Sequence, residues 1–227
     1  MAPIHGDRSE AFERVTSMVL FNEDETADFE RITVLYNINK RLMLYAEELT
    51  DETFLPPINE IRDTNDHLMR VFAAKLGFGE DGPETIGLNL DAAFSHLYRA
   101  TYEHLDYIKI YQIEAIQIDL ENIHNDALVA VFPEYYREIK PRLTAAIEKI
   151  PEYRDGKNIA DPDFKLIEEY MAIIESIKTD YKKIGSMLPA LIEYQAKQKE
   201  DNRREKLMYV ILGIILTFFG TVAANIF

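Results

Sequence analysis

The chain has 227 residues and a formal net charge of −15, from 40 acidic and 25 basic side chains, and it contains no cysteine. Disulfides and thiolate metal sites are therefore excluded, and five scattered histidines with no HExxH leave no expected metal centre and no expected cofactor. So acidic a balance argues against duplex nucleic acid as a partner, while leaving room for a local basic pocket.

No strand-period alternation stands out, and every long segment carries helical spacing. A first helix is expected at about 9–20. A second begins after the acidic run NEDETAD, whose carboxylates favour a helix N-terminus, and reaches Leu49. Pro56 and Pro57 break the chain and start a third helix, about 57–77, followed by the turn-rich connector GFGEDGPETIG. A long helix at about 88–131 is stopped by Pro133. A shorter one, kinked or divided at Pro141, runs to Ile150, and PEYRDGKNIADP reads as a loop. From Asp163 the helical pattern resumes and, Pro189 apart, nothing stops it before Phe227.

The end of that last pattern is LMYVILGIILTFFGTVAANIF, 207–227, with no charged side chain. Twenty-one helical residues at 1.5 Å each span roughly 30 Å, the thickness of bilayer hydrocarbon. Lys197, Lys199, Arg203, Arg204 and Lys206 flank the run on its N-terminal side, which puts that side in the cytoplasm. The beginning MAPIHGDRSE has no apolar stretch of the kind a cleavable signal peptide uses. The expected fold is thus all-α: a cytoplasmic antiparallel helical bundle at 1–196, a basic juxtamembrane stalk at 197–206 and a single-pass C-terminal transmembrane helix at 207–227. At 100° per residue, Tyr209, Gly213, Thr217, Gly220, Thr221, Ala224 and Asn225 share an arc of roughly 120°. Small and hydroxyl side chains on one stripe suit helix packing in a membrane or, with several copies assembled, a pore. Gly213, Thr217, Gly220, Thr221 and Asn225 are the expected packing or pore residues, and the partners are lipid and further copies of the chain. A plain tail anchor sorted this way by chance is the alternative.

Two His-Leu-x-Arg elements, at 67–70 and 96–99, carry the chemistry. Asp63, His67 and Arg70 lie at i, i+4, i+7, and His96, Arg99 and Glu103 at i, i+3, i+7, so each trio forms one stripe on its helix. If the two helices fold back about Pro83, residues whose numbers total 166 stand level. Arg70 then faces His96, His67 faces Arg99, and Asp63 faces Glu103. Such a seam is either a self-satisfied network that sets helix register or a site for an anionic ligand such as a nucleotide or oligonucleotide.

Arg62-Asp-Thr-Asn-Asp-His67 and Arg99-Ala-Thr-Tyr-Glu-His104 each resemble the R-x4-H element of the HEPN family of all-helical ribonucleases. That resemblance implies Arg62 and His67 acting at an RNA phosphate, in a site usually formed by a dimer. In overall plan the chain is similar to small bacterial antiphage membrane effectors of the CBASS and Hailong type. The similarity implies a nucleotide-responsive soluble part joined to helices that permeabilise a membrane. The expected function is a homo-oligomeric membrane effector of the antiviral-defence type, a ligand-gated pore or ion channel. A membrane-tethered ribonuclease of HEPN type and a tail-anchored adaptor that recruits another protein are the alternatives.

Overall fold

The computed structural model describes residues 21–77, 82–155, 162 and 164–224, with the side chains of 155 and 218–224 outside that description. Among the described residues there are six α-helices and no strand: α1 Glu23–Thr50, α2 Leu55–Leu76, α3 Ile86–Leu120, α4 Asn125–Val131, α5 Lys140–Asp155 and α6 Phe164–Ala224. The helix expected at 9–20 lies outside the described residues.

α1 starts inside the acidic run rather than after it. Asn22 accepts from the Glu25 N–H at 2.8 Å, and the Glu25 carboxylate accepts from the Asn22 N–H at 2.9 Å, a reciprocal cap. Glu23, Asp24 and Glu25 thereby become the first turn, at the positive end of the helix dipole. α1 buries Ile32, Leu35, Ile38, Leu42 and Ala46 at helical spacing. Its end is a left-handed residue, Asp51 at φ 54°, whose N–H bonds the Glu47 carbonyl. Pro56 and Pro57 sit in the first turn of α2, where a missing N–H costs nothing. Gly77, at φ 67°, closes that helix.

Tertiary contacts overrule the sequence reading at two places. The helix expected across 88–131 stops at Leu120, and α4 starts only at Asn125. The gap is held by one side chain of α6: Gln195 Oε1 accepts the His124 N–H at 2.7 Å, and Gln195 Nε2 donates to the Asn122 carbonyl at 3.0 Å. The loop expected from residue 151 is helical to Asp155, because Tyr153 stacks on Tyr170 (5.3 Å, 16°) and Arg154 bonds both oxygens of Asp106 at 3.1 and 3.0 Å. Before Pro141, which has no N–H to offer the Arg137 carbonyl, residues Tyr135–Ile139 widen to a π-helical turn and Lys140 N–H reaches the Tyr135 carbonyl.

The described residues divide into two compact units. The first draws on Met1–Tyr111 and Lys149–Glu175. Its core is the buried face of α1 against Leu90, Leu97, Leu105 and Ile108 of α3, with Ile150 and Tyr153 of α5 and Ile167, Tyr170 and Ile174 of α6. Tyr98, Tyr102 and Tyr170 of this unit are fully buried.

The second unit, from Gln112–Glu148 and Ser176–Phe227, buries Leu128, Phe132, Ile139, Ile177, Ile184 and Leu191. It also buries one carboxylate, Asp180, held by Nε (2.8 Å) and Nη2 of Arg142. Arg142→Ala is expected to cost this unit about 2–3 kcal/mol by stranding that buried charge, less than for a fully buried pair because the Arg142 side chain is 46% exposed. Amide exchange at 176–191 should then accelerate, and replacing both partners with leucine should restore most of the protection.

α6 runs unbroken for 61 residues and carries Pro189 inside it. From Leu207 to Leu216 its large apolar side chains are 45% to 65% exposed. Among the described residues no helix is long and apolar enough to cross a membrane. The described side chains of the apolar run end at Thr217, eleven residues into it.

Candidate functional site: an arginine- and histidine-lined cavity between two antiparallel helices

The hairpin expected of α2 and α3 is present, in a different register. Glu60 meets His96, Thr64 meets the Ala93 carbonyl, and His67 meets Asn89, so level residues total 156 or 157 rather than 166. The helices are slid by about ten residues, roughly 15 Å, from the register read off the sequence. The connector accounts for the slide. Its 3-10 turn, Pro83–Thr85, packs beside α2, so α3 starts below the end of its partner.

Each expected pairing changes with the register. Arg70 does not face His96 and instead bonds Asp66 one turn earlier on α2 (2.8 Å). Asp63 does not face Glu103 and takes its neighbour Arg62 (3.0 Å). His67 does not face Arg99. Its ring stacks with that of His96 (centroids 5.3 Å apart, 25°). Glu103 lies outside the cavity described next.

Arg62, Asp63, Asp66, His67, Arg70 and His96 line an open cavity of about 340 Å³. Four of the six residues expected of the seam therefore surround one space: Asp63, His67, Arg70 and His96. Arg99 does not line it and is tied to its edge at His96 through a residue the sequence reading passed over, Glu60. That carboxylate stands 2.8 Å from His96 Nδ1 and 3.2 Å from Arg99 Nε. A signal for it existed, since Glu60, Asp63 and His67 fall at i, i+3, i+7 on one stripe of α2. Asn89, also passed over, stands seven residues before His96 on α3.

Hydrogen-bond chemistry fixes the His67 tautomer. Asn89 Nδ2 donates to the Thr85 carbonyl at 2.9 Å, so Asn89 Oδ1 is the atom facing His67 Nδ1, 2.9 Å away. A carbonyl oxygen only accepts, so His67 Nδ1 carries the hydrogen and neutral His67 keeps its Nε2 lone pair. Both arginines of the cavity already hold an acid, each pair well exposed, and such surface pairs are weak enough for an incoming anion to displace the carboxylates.

The second R-x4-H copy has no access to a substrate. His104 is buried (1% exposed) and donates from Nδ1 to Asn39 Oδ1 at 3.1 Å. Asn39 Nδ2 is spent on the Leu35 and Leu97 carbonyls and on Thr101. Burial pushes the His104 imidazole down to about 4, offset in part by the Ala100 carbonyl, so it is a neutral core residue at physiological pH. Among the described residues no three side chains of His, Asp or Glu are grouped to hold a metal ion. His124 serves through its backbone, at the start of α4.

Of the expected membrane residues, Gly213 and Thr217 are described: Thr217 Oγ1 donates to the Gly213 carbonyl at 2.7 Å, and nothing stands within 4 Å of a Cβ built at Gly213. The side chains of Gly220 and Thr221, and Asn225, lie outside the description.

Fold and cavity together define an all-helical chain with an open site lined by arginine, histidine and aspartate. No family model, curated protein or solved structure matches it.

Proposed function

We propose that the chain is a homo-oligomeric membrane effector whose helical N-terminal part binds an anionic ligand of the nucleotide or oligonucleotide class in the α2–α3 cavity. The observation that carries the proposal is α6: one helix, packed at Ile167, Tyr170 and Ile174, continues without a break into the exposed apolar residues from Leu207 onward. Greasy side chains left open to water over three helical turns call for a partner, and the uncharged run 207–227 fits lipid. Lys197, Lys199, Arg203, Arg204 and Lys206, all exposed, support a cytoplasmic side for the preceding part through the positive-inside bias. Gly213 and Thr217 share a stripe suited to packing copies against each other, and a pore needs several copies.

The test is the mass of the full-length protein in lipid nanodiscs, followed by conductance. A defined oligomer of four or more, with ligand response lost in Arg62→Glu/Arg70→Glu, is the expected result. A stable monomer sinks the pore.

One observation favours a second reading, a membrane-tethered ribonuclease of the HEPN type: Arg62 and His67 line the same cavity. Metal-free cleavage of RNA by the full-length protein, lost in His67→Ala, would put that reading first.

A further inference from the structure

His96 Nδ1 lies 2.8 Å from Glu60 Oε2 and also 2.8 Å from Arg99 Nη2. A carboxylate only accepts and a guanidinium only donates. One ring nitrogen cannot serve both at once. With a hydrogen on Nδ1 the bond goes to Glu60, and the Arg99 N–H faces another N–H. Without it, Nδ1 accepts from Arg99, and its lone pair faces the carboxylate. The trio therefore has two arrangements: only the neutral Nε2–H tautomer accepts from Arg99, whereas the protonated ring, like the neutral Nδ1–H tautomer, donates to Glu60.

His67 has no such choice, because its Nδ1 donates to an amide oxygen in either protonation state. The charged or titratable groups in contact with His96 are Glu60 and His67 from α2 and Arg99 from α3. Those sharing its cavity are Arg62, Asp63, Asp66 and Arg70, all from α2.

Resting on the ligand reading above, we infer that the cavity binds a doubly charged oxyanion, the chemistry of a terminal phosphate or a sulfate, with uptake of one proton on His96. The anion supplies negative charge on the cavity side of the ring. The protonated ring then gives Nδ1–H to Glu60 and Nε2–H to the anion, and Arg99 Nη2 leaves Nδ1. Ligand capture is thereby coupled to proton uptake and to a movement of Arg99 on α3.

Sulfate is the probe, because it exchanges no proton between about pH 5 and pH 8, where imidazole titrates. Full-length protein in nanodiscs is titrated with sodium sulfate against sodium chloride of equal ionic strength. Binding is followed by calorimetry and proton exchange by pH-stat near pH 7. The expected result is net uptake of protons that accompanies sulfate binding and saturates with it. His96→Gln should still bind sulfate and lose the uptake, and His67→Gln should keep it. Arg62→Gln/Arg70→Gln should weaken binding about tenfold or more by removing two charge-assisted donors. Sulfate bound by the wild type with no proton exchanged overturns the coupling and leaves the anion site standing. Uptake persisting in His96→Gln overturns the assignment to His96. No sulfate binding to the wild type overturns the coupling and the ligand reading together.

Discussion

Taking the protein from about pH 6.5 to about pH 4 is expected to remove about 3 kcal/mol of stability through His104 alone. The sign follows from where the proton binds more readily. Burial depresses the folded-state value to about 4, while the unfolded chain keeps the ordinary value of 6.5. Above 6.5 neither state is protonated and His104 contributes no pH dependence. Between the two values the unfolded state takes up a proton that the native state refuses, so stability falls as pH falls. Below about 4 both states are protonated and the slope ends. Thermal unfolding of the nanodisc-held protein, followed by far-UV circular dichroism, should show a midpoint roughly 10 °C lower at the acid end for this group. In His104→Gln the amide can still donate to Asn39 Oδ1 and does not titrate. That variant should lose clearly less between the same two pH values. Equal losses in both proteins would mean that the acid sensitivity arises elsewhere.

Removing 207–227 is expected to move the protein from the carbonate-resistant membrane fraction to the supernatant. The described part of the run, Leu207 to Leu216, exposes nine large apolar side chains, which water does not tolerate gathered on one helix end. A finer version keeps the length: Ile214→Lys with Ile215→Lys adds a penalty of about 2.5–3.5 kcal/mol for each charge near a bilayer centre, enough to abolish stable insertion. The helical part should remain folded in both cases, judged by its far-UV signal. Full-length protein that washes out of membranes in carbonate would remove the anchor, and with it the pore.

The pattern of sequence legibility follows range of interaction. Helical spacing marked every described α-helix, α4 only as the end of one longer helix, because the spacing of Ile32, Leu35, Ile38 and Leu42 already marks a buried stripe and Pro56-Pro57 already marks a helix start. Helix ends were less legible wherever a distant side chain set them. Gln195 holds the gap between α3 and α4 from about seventy residues away, and Tyr170 and Asp106 draw 151–155 into α5 against a proline and a polar composition. No local signal announces either contact.

The candidate site shows the same division. The stripes Asp63/His67/Arg70 and His96/Arg99 followed from helical spacing, and His67, Arg70 and His96 do meet around one cavity. Their partners did not follow, because spacing within each helix says nothing about the slide of one helix on the other. The turn at Pro83–Thr85 set that slide, and a shift of ten residues put Glu60 rather than Arg70 opposite His96. His104 and His67 occupy the same place in their two R-x4-H elements, and the local difference, Ala100 and Tyr102 in the second where the first has Asp63 and Asn65, does not say which helix covers either face. By itself, the sequence determined an all-helical chain, its helices and their polar stripes, since those depend on neighbours three and four residues away. Only the tertiary structure decided that His67 lines a cavity while His104 is buried against Asn39, because burial depends on which helix covers a face, and the covering helix comes from far along the chain.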